Sequence, residues 1–399
     1  YQAGKPVRQQ DRAEGHAVRA VYLYTGMAEV ASAVKDQELF EACQRIWDNI
    51  VEKQMYVTGS IGSSQYGEAF TFDYDLPNDT VYAETCAAIG LIFFARRMFE
   101  ITKDSRYADV MERCLYNGVI SGMSLDGKKF FYVNPLEAVP EASEKDYYKK
   151  HVKVERQKWF GCACCPPNVA RLLSSIGGYA YEYNEKEFFM NLFIGGSMHA
   201  VLDGKENQFK VETDYPWNGD VKIQIENEED TAFTYAIRVP GWCRSYTLKL
   251  NGEAVSCPVE NGYLLLERCW KNQDEIVFSM EMPVELVAAN PRVREDIGKV
   301  AVMRGPVVYC LEEADNGDQL QELYLNENPE FAVKYEKDLL KGVVTLTTEG
   351  KRLSEEEWDE KTLYKTYAGR KFEPQTLKFI PYYAWTNRTV GEMLVWVRI

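Results

Sequence analysis

The sequence predicts a multidomain protein of the α plus β class, with a helical first part and a β-rich second part. A chain of 399 residues is longer than one typical domain and predicts two or three, each with its own core. Up to about residue 184, apolar residues recur at steps of three and four, which is typical of amphipathic helices. From about residue 185 onward, apolar and polar residues alternate, as they do in half-buried strands.

About five helices are predicted in the first part. Apolar residues at helical spacing follow Asp36 and Asp104, and each of these aspartates is a candidate N-cap. A third helix is expected to begin near Thr80, and a fourth at Pro166-Pro167, because proline fits the first turn of a helix. The segment 16–33 adds a fifth.

Strands are predicted in the second part wherever the two-residue alternation is bounded by turn residues. The clearest are residues 221–226, 233–239, 246–250 and 275–280. The acidic stretch 312–328 predicts a solvated loop. We expect residues 1–184 to form a helical domain, 185–285 a first β-sandwich, 286–380 a second β-sandwich or β-rich domain, and 381–399 a strand that returns to the first sandwich.

Composition excludes several partners. A formal net charge of −15 argues against nucleic acid and anionic membranes, because phosphate binding needs a basic surface. No apolar run approaches the length of a membrane-spanning helix, and the first residues lack the pattern of a signal peptide. Ten irregularly spread cysteines in a large chain indicate reduced thiols and a cytoplasmic location. We therefore expect a neutral or small substrate.

Two segments supply candidate metal ligands. The stretch WFGCACCPPNVARLL places Cys162, Cys164 and Cys165 within four positions, and YAETCA places Glu84 two residues before Cys86. At the entrance of a helix, Glu84 and Cys86 would share one side. With two of the three clustered cysteines they offer three sulfurs and one oxygen, a donor set that favours Zn²⁺. Buried cysteines beside a surface glutamate would explain the spacing equally well.

The same segment offers a candidate nucleophile. The positive end of the helix that begins at the proline pair would stabilise a thiolate, and bound Zn²⁺ would lower the thiol pKa further. Either Cys164 or Cys165 could then attack carbon. A site with four protein ligands is more often structural, however, and full coordination damps the nucleophilicity of sulfur.

A candidate acid lies in the glycine- and serine-rich run GSIGSSQYGEAF. A partly buried Glu68 could protonate a leaving group, although alone it is an ordinary loop carboxylate. Local pattern gives no role to three further residues. By local pattern, His16 is a capping or core histidine and Tyr132 is a buried aromatic in a strand. Glu112 is a helix carboxylate that pairs with Arg113 or Arg97.

These segments together resemble a known family. RAEGHAVR, YVTGSIGSSQYGEAF, YAETCA, RCLYNG, FFYVNPLE and CACCPPNVAR resemble the successive motifs of glycoside hydrolase family 127, the β-L-arabinofuranosidase family, and IRVPGW, MRGPVVYCLE and PYYAW resemble its β-domain motifs. The resemblance covers essentially the whole chain. It implies an (α/α)₆ barrel followed by β-sandwich domains, and a retaining exo-glycosidase with a cysteine nucleophile on zinc.

The roles of the family's motif residues can be carried over to the matching positions of this sequence. Cys164 becomes the nucleophile of a double displacement, and Glu68 becomes its general acid/base. His16, Tyr132 and Glu112 fall where the family has sugar-contacting or site-supporting residues, while Cys162 has no role. The implied zinc ligands are Glu84, Cys86, Cys164 and Cys165.

One departure from the family pattern concerns the helices. A barrel of that kind needs twelve helices, and only about five are predicted here. We therefore expect only the C-terminal portion of the barrel in this chain. The missing N-terminal segment then becomes a candidate partner for exposed apolar helix faces. Besides an enzyme that releases terminal β-L-arabinofuranose, three alternatives stay open: a non-catalytic, zinc-stabilised carbohydrate-binding protein, a glycosidase acting on another sugar, and an inactive fragment of an enzyme.

Overall fold

The computed structural model of the protein describes residues 2–356, 358–359 and 361–399. Its α-helices are α1 (Ala17–Val34), α2 (Gln37–Lys53), α3 (Thr85–Thr102), α4 (Ser105–Arg113), α5 (Pro140–Lys145), α6 (Cys165–Ser174), α7 (Gly177–Ala180) and α8 (Glu313–Asn316). A π-helical segment, Cys114–Val119, continues α4. Short 3₁₀ turns are Val7–Gln9, Tyr66–Glu68, Ile120–Gly122, Arg294–Asp296, Leu320–Glu322 and Tyr382–Ala384.

The five predicted helices correspond to α1–α4 and α6. Asp36 and Asp104 cap α2 and α4 as expected, because their carboxylates accept hydrogen bonds from the backbone N–H of Leu39 at 3.0 Å and Arg106 at 2.9 Å. The third helix begins at Thr85 rather than near Thr80, since Glu84 still lies in an extended bridge with Val133.

One hydrophobic core joins these helices. Trp47 of α2 contacts the rings of Phe94 and Tyr107 across it. Some apolar side chains of α1 stay outside this core, including the exposed Val30 and Val34. Among the described residues, none of the helices combines the length and apolar character that crossing a membrane requires.

Two sheets follow the helices and share a second core. One has five strands in the order Val259–Glu260, Tyr263–Trp270, Thr231–Arg238, Glu187–Met190 and Tyr181–Tyr183. The other has six in the order Glu253–Ala254, Tyr246–Leu250, Glu275–Met280, Asp220–Asn227, Lys205–Thr213 and Gly196–Leu202. Alternate residues of both sheets face one apolar cluster, so the predicted two-residue pattern is confirmed in these strands.

The last part of the chain forms a ten-stranded sheet. Its order is Val284–Val287, Lys299–Arg304, Trp396–Arg398, Leu323–Leu325, Val343–Leu353, Phe372–Pro381, Val307–Glu312, Met393–Leu394 and Glu137–Ala138, with Ala332–Glu336 beside Val343–Leu353. Because Lys299–Arg304 also pairs with Val307–Glu312, six of these strands close into a ring. The strands of this ring enclose an apolar interior, in the part of the chain where we expected a second β-sandwich or a β-rich domain.

The last strand of the chain pairs with other strands than we expected. Trp396–Arg398 pairs with Lys299–Arg304 and Leu323–Leu325 in this ring, and not with the first two sheets. Val397 packs inside the ring while Val395 and Trp396 pack between it and the helical part. Side chains of this segment thus contribute to two apolar clusters, one inside the ring and one between the ring and the helical part.

Contacts between the units hold the helical part against the ring. Glu137–Ala138, from the helical region, pairs with Met393–Leu394 at one end of the sheet. The buried guanidinium of Arg156 donates to the carbonyls of Ser121, Tyr383 and Trp385 at 3.0, 2.9 and 2.6 Å. These bonds fix the long loop that leads into α6.

Candidate active site and metal centre

A cavity of about 710 Å³ opens where α1, α3 and α6 meet. Most of the residues predicted for the site line it, namely His16, Glu68, Glu84, Cys86, Tyr132, Cys162 and Cys164. Cys165 lies behind this wall with its sulfur 3.7 Å from that of Cys164. The fold therefore brings together side chains that are up to 149 positions apart in the sequence.

Four donor atoms cluster at the converging N-termini of α3 and α6. Glu84 is the N-cap of α3 and Cys86 its second residue, whereas Cys164 is the N-cap of α6 and Cys165 its first residue. The Cys86 and Cys164 sulfurs each lie 3.7 Å from that of Cys165, and the Cys164 sulfur lies 3.2 Å from Glu84 Oε1. One donor atom from each residue lies within 4.8 Å of the others, so the group could hold a metal ion. The positive ends of both helices favour thiolates there.

The electrostatics of this cluster would suit a bound cation. Glu84 is 3% exposed, and its Oε2 atom is buried without a hydrogen-bond partner among the described residues. Burial is the main cause that raises the pKa of Glu84 to about 9, and the nearby Cys164 is the second cause. Hydrogen bonds from Cys164 and Cys165 lower the pKa of Cys86. A carboxyl group and three thiols share one buried site, and a bound cation would stabilise their ionised forms together.

Backbone geometry aims Glu68 into the cavity. Gly67 and Glu68 have φ values of +70° and +54°, and the second is a conformation that costs energy for a residue with a side chain. The antiparallel pair Gly15–His16 and Ala69–Phe70 sets His16 opposite Ala69. His16 Nε2 consequently lies 2.9 Å from Glu68 Oε2.

Tyr132 joins the two parts of the site. Its hydroxyl lies 3.4 Å from the Cys164 sulfur, and burial raises its pKa. Its backbone carbonyl accepts from Thr85 N–H at 3.1 Å, which ties its strand to the first turn of α3. Cys162 is exposed on the cavity wall.

Glu112 is the predicted site residue that the structure places elsewhere. It is 1% exposed on α4 and forms an ion pair with Arg238 of the five-stranded sheet. Trp242 Nε1 and the Tyr215 hydroxyl also donate to it, at 3.1 and 2.6 Å. This carboxylate holds the helical part against the neighbouring sheets, so it neither lines the cavity nor pairs with Arg113 or Arg97 as we expected.

Several cavity residues were missed in the sequence. Tyr22 of α1 and Asn168 and Arg171 of α6 line the wall beside the thiols. Asn168 and Arg171 lie three and six positions after Cys165, which puts all three on one face of a helix. That spacing was the available signal in CCPPNVAR.

Comparison with known proteins places the chain in a family. Residues 1–178 match the description "Beta-L-arabinofuranosidase, GH127 catalytic domain". Residues 187–282 match "Beta-L-arabinofuranosidase, GH127 middle domain", and residues 284–398 match "Glycoside hydrolase family 127 C-terminal domain". The chain belongs to glycoside hydrolase family 127. The resemblance seen in its motifs is thereby confirmed.

Relatives in this family are longer than the chain. It is 42% identical to a non-reducing end β-L-arabinofuranosidase of Bifidobacterium longum subsp. longum, and the match covers all of the chain and 61% of that protein. It is similar in structure to Ara127N-Se, a GH127 β-L-arabinofuranosidase from Geobacillus stearothermophilus T6, at 50% identity and a TM-score of 0.97. The GH127 β-arabinofuranosidase BT3674 matches at 41% identity and a TM-score of 0.91. Each structural match covers all of this chain and 62% of the relative.

Proposed function

We propose that the protein is a retaining exo-glycosidase that releases terminal β-L-arabinofuranose, with Cys164 as nucleophile and Glu68 as general acid/base. The observation that carries this proposal is the placement of the Cys164 sulfur on the same cavity as Glu68 and His16, beside a cluster of metal-binding type. The names of the relatives support the sugar.

Zinc is the ion that the donor set suits best. Three thiolates and one carboxylate form a tetrahedral set typical of Zn²⁺, and two sulfurs on one such ion, at bonds of about 2.3 Å, lie about 3.8 Å apart. The two measured separations of 3.7 Å agree with that value. Glu84, Cys86, Cys164 and Cys165 would hold the ion. When bound, zinc would keep the thiols ionised and make sulfur a better leaving group.

In the first step, Glu68 gives its proton to the glycosidic oxygen while the Cys164 sulfur attacks the anomeric carbon. The carbon–oxygen bond breaks as the carbon–sulfur bond forms, which leaves the sugar on Cys164 with inverted configuration. His16 orients the Glu68 carboxyl through the 2.9 Å contact. The Cys164 side chain is partly buried beside Tyr132, which limits the access of water to the sulfur.

In the second step, Glu68 removes a proton from a water molecule that attacks the same carbon. The carbon–sulfur bond breaks, the thiolate of Cys164 is restored, and the second inversion returns the original configuration. One carboxyl group thus serves as acid and then as base. Its neighbour Glu84 would instead serve as a metal ligand beside the thiols.

A competing assignment makes Glu84 the nucleophile. Oxygens of Glu68 and Glu84 lie within 4.8 Å of each other, and ordinary retaining glycosidases use two carboxyl groups about 5 Å apart. We favour Cys164 because Glu84 Oε1 faces the Cys164 sulfur at 3.2 Å, where the carboxylate is placed as a ligand.

The same proposal covers the domain architecture. We infer that residues 1–184 belong to a helical barrel of the (α/α)₆ type and that residues 185–285 form a β-sandwich whose two sheets enclose one core. Residues 286–399 then form a separate unit around the closed ring of strands.

Substitution of the two cavity thiols tests the nucleophile. Replacement of Cys164 by Ala should lower the hydrolysis of an aryl β-L-arabinofuranoside by at least about a thousandfold, as removal of a nucleophile does elsewhere. The matched control is Cys162→Ser, which changes an exposed thiol two positions away and should retain most of the activity. Equal rates for Cys164→Ala and the unaltered protein would reject the assignment.

A further inference from the structure

A second group of possible metal ligands shares Glu84 with the thiol cluster. It consists of His16, Glu68 and Glu84, and one donor atom from each residue lies within 4.8 Å of the others. All three side chains line the cavity of about 710 Å³. They come from the strand Gly15–His16, the turn Tyr66–Glu68 and the N-cap of α3, so the fold brings their donor atoms together.

The two oxygens of Glu84 have different surroundings. Oε1 lies 3.2 Å from the Cys164 sulfur, on the side of the thiol cluster. Oε2 is buried and has no hydrogen-bond partner among the described residues, in a side chain that is only 3% exposed. A buried carboxylate oxygen without a donor is costly, and a cation is one group that removes this cost. The carboxylate can therefore serve the thiol cluster through Oε1 and a second ion through Oε2, as bridging ligands do in two-metal sites.

The contact between His16 and Glu68 has the dimensions of a ligand pair. His16 Nε2 lies 2.9 Å from Glu68 Oε2. Two metal bonds of about 2.1 Å at a right angle place their nitrogen and oxygen about 3 Å apart. A cation could thus replace the proton of this contact without moving either side chain. Both side chains are partly exposed, so water from the cavity could complete the coordination.

The ligand types distinguish the two groups of donor atoms. Three sulfurs and one oxygen select Zn²⁺, whereas one imidazole nitrogen and two carboxylate oxygens also suit harder first-row ions such as Mn²⁺. When ionised, the three thiols, Glu84 and Glu68 carry five negative charges together, and a single divalent ion offsets two of them. The remaining excess of negative charge favours a second cation beside the first.

We propose that His16, Glu68 and Glu84 form a second cation site, which binds a divalent first-row transition metal ion through one nitrogen and two oxygens and inhibits the enzyme. Occupation withdraws the Glu68 carboxyl from proton transfer, and it places an ion where the glycosidic oxygen has to approach. The inhibition rests on the proposed function, because it takes Glu68 to be the general acid/base. The cation site itself does not.

Titration of the zinc-loaded protein with Mn²⁺ tests the site directly. The electron paramagnetic resonance signal of free Mn²⁺ measures binding, and Mn²⁺ is the weakest competitor among the first-row divalent ions, so zinc stays with the thiols. We expect one Mn²⁺ per chain and a loss of aryl β-L-arabinofuranoside hydrolysis that follows its occupancy. Mg²⁺, which prefers sites made only of oxygen, should displace Mn²⁺ poorly.

Two variants assign the binding to these residues. Glu68→Gln replaces a carboxylate by a poor ligand and should weaken Mn²⁺ binding by at least about tenfold, with the zinc content unchanged. His16→Asn should do the same and covers the case in which Glu68→Gln does not fold. The matched control is Glu141→Gln, which removes an exposed carboxylate of α5 and should leave Mn²⁺ binding as it is.

The outcomes separate the site from the proposed function. Unchanged Mn²⁺ binding in Glu68→Gln and His16→Asn, or displacement by Mg²⁺ at equal concentration, would overturn the inference while hydrolysis stands. Binding at these residues that leaves hydrolysis unaffected would overturn the inhibitory role. If the unaltered protein binds Mn²⁺ there but hydrolyses no arabinofuranoside before the ion is added, the cation site is supported and the proposed function fails.

Discussion

Glu84 and Glu112 are two buried carboxylates, 3% and 1% exposed, with opposite surroundings. Glu112 is neutralised by Arg238 and accepts two further hydrogen bonds, from Trp242 and Tyr215. Glu84 Oε1 contacts the Cys164 thiol, and its other oxygen is without a partner among the described residues. The protein supplies a counter-charge for Glu112, whereas Glu84 has none among the described residues, and a bound cation could supply it.

This difference separates a carboxylate whose charge the protein neutralises from one that could bind a ligand. Both glutamates stand in distinctive motifs, and both are near helix ends in the same helical unit. What distinguishes them is whether the protein itself satisfies the buried charge. An unsatisfied buried acid that faces a cavity indicates a ligand site.

Asp296 is an intermediate case. It is 5% exposed, and the hydrogen-bond partner of its Oδ1 is the neutral amide of Asn78, at 2.8 Å. Burial raises the pKa of Asp296 to about 6, and Asn78 and Lys299 offset only part of that effect. A neutral donor thus stabilises the carboxylate less than Arg238 stabilises Glu112.

The largest effect on stability is expected at the satisfied carboxylate. Replacement of Arg238 by Met leaves Glu112 buried without its counter-charge and should lower the free energy of unfolding by about 3–5 kcal/mol. Urea unfolding monitored by circular dichroism measures this loss. The metal content of the folded variant should not change, and a loss below about 1 kcal/mol would mean that the pair is not needed to hold the units together.

Glu84→Gln should have the converse effect. The variant should bind zinc at least about 100-fold more weakly, because a neutral amide is a poor ligand, while the stability of the metal-free protein stays within about 0.5 kcal/mol. Metal analysis after dialysis and thermal unfolding of the stripped protein provide the two readouts. Strong destabilisation of the stripped protein would show that Glu84 is structural, like Glu112.

Asp296→Asn should give a smaller effect that depends on pH. Because the folded-state pKa of Asp296 is raised, its contribution to stability is present below about pH 4 and is lost as the pH rises through about 6. The substitution should therefore stabilise the protein at pH 7.5 relative to pH 4.5, by about 2 kcal/mol. Unfolding curves at the two pH values measure the difference. An equal change in stability at both pH values would mean that the effect does not come from the titration of Asp296.

Local signals made part of this structure predictable. N-cap residues such as Asp36, and strands such as Tyr246–Leu250 and Glu275–Met280, depend on neighbours within a few positions. The same holds for the site, because Glu84 and Cys86 are brought to one side by the entrance to α3. The family motifs then linked these ligands to Cys164 and Cys165.

Long-range pairing made the rest unpredictable. Glu112 meets Arg238 across 126 positions, and no periodicity in either segment indicates the partner. The stretch 312–328 is acidic enough to predict a loop, yet Leu323–Leu325 is a buried strand, because the ring of the last unit requires it there. Tyr22 of α1 meets Arg171 of α6 only because the two helices pack side by side, and no local pattern indicates that contact.

Trapping of the sugar on the enzyme tests the central claim most directly. Glu68→Gln keeps Cys164 intact but slows both steps, so a substrate with a good leaving group should accumulate the covalent intermediate. Intact-mass measurement followed by peptide mapping should find one pentosyl unit on Cys164, and none in the double variant with Cys164→Ala. A pentosyl unit on Glu84, or no adduct in a variant that still turns over substrate, would contradict the cysteine mechanism.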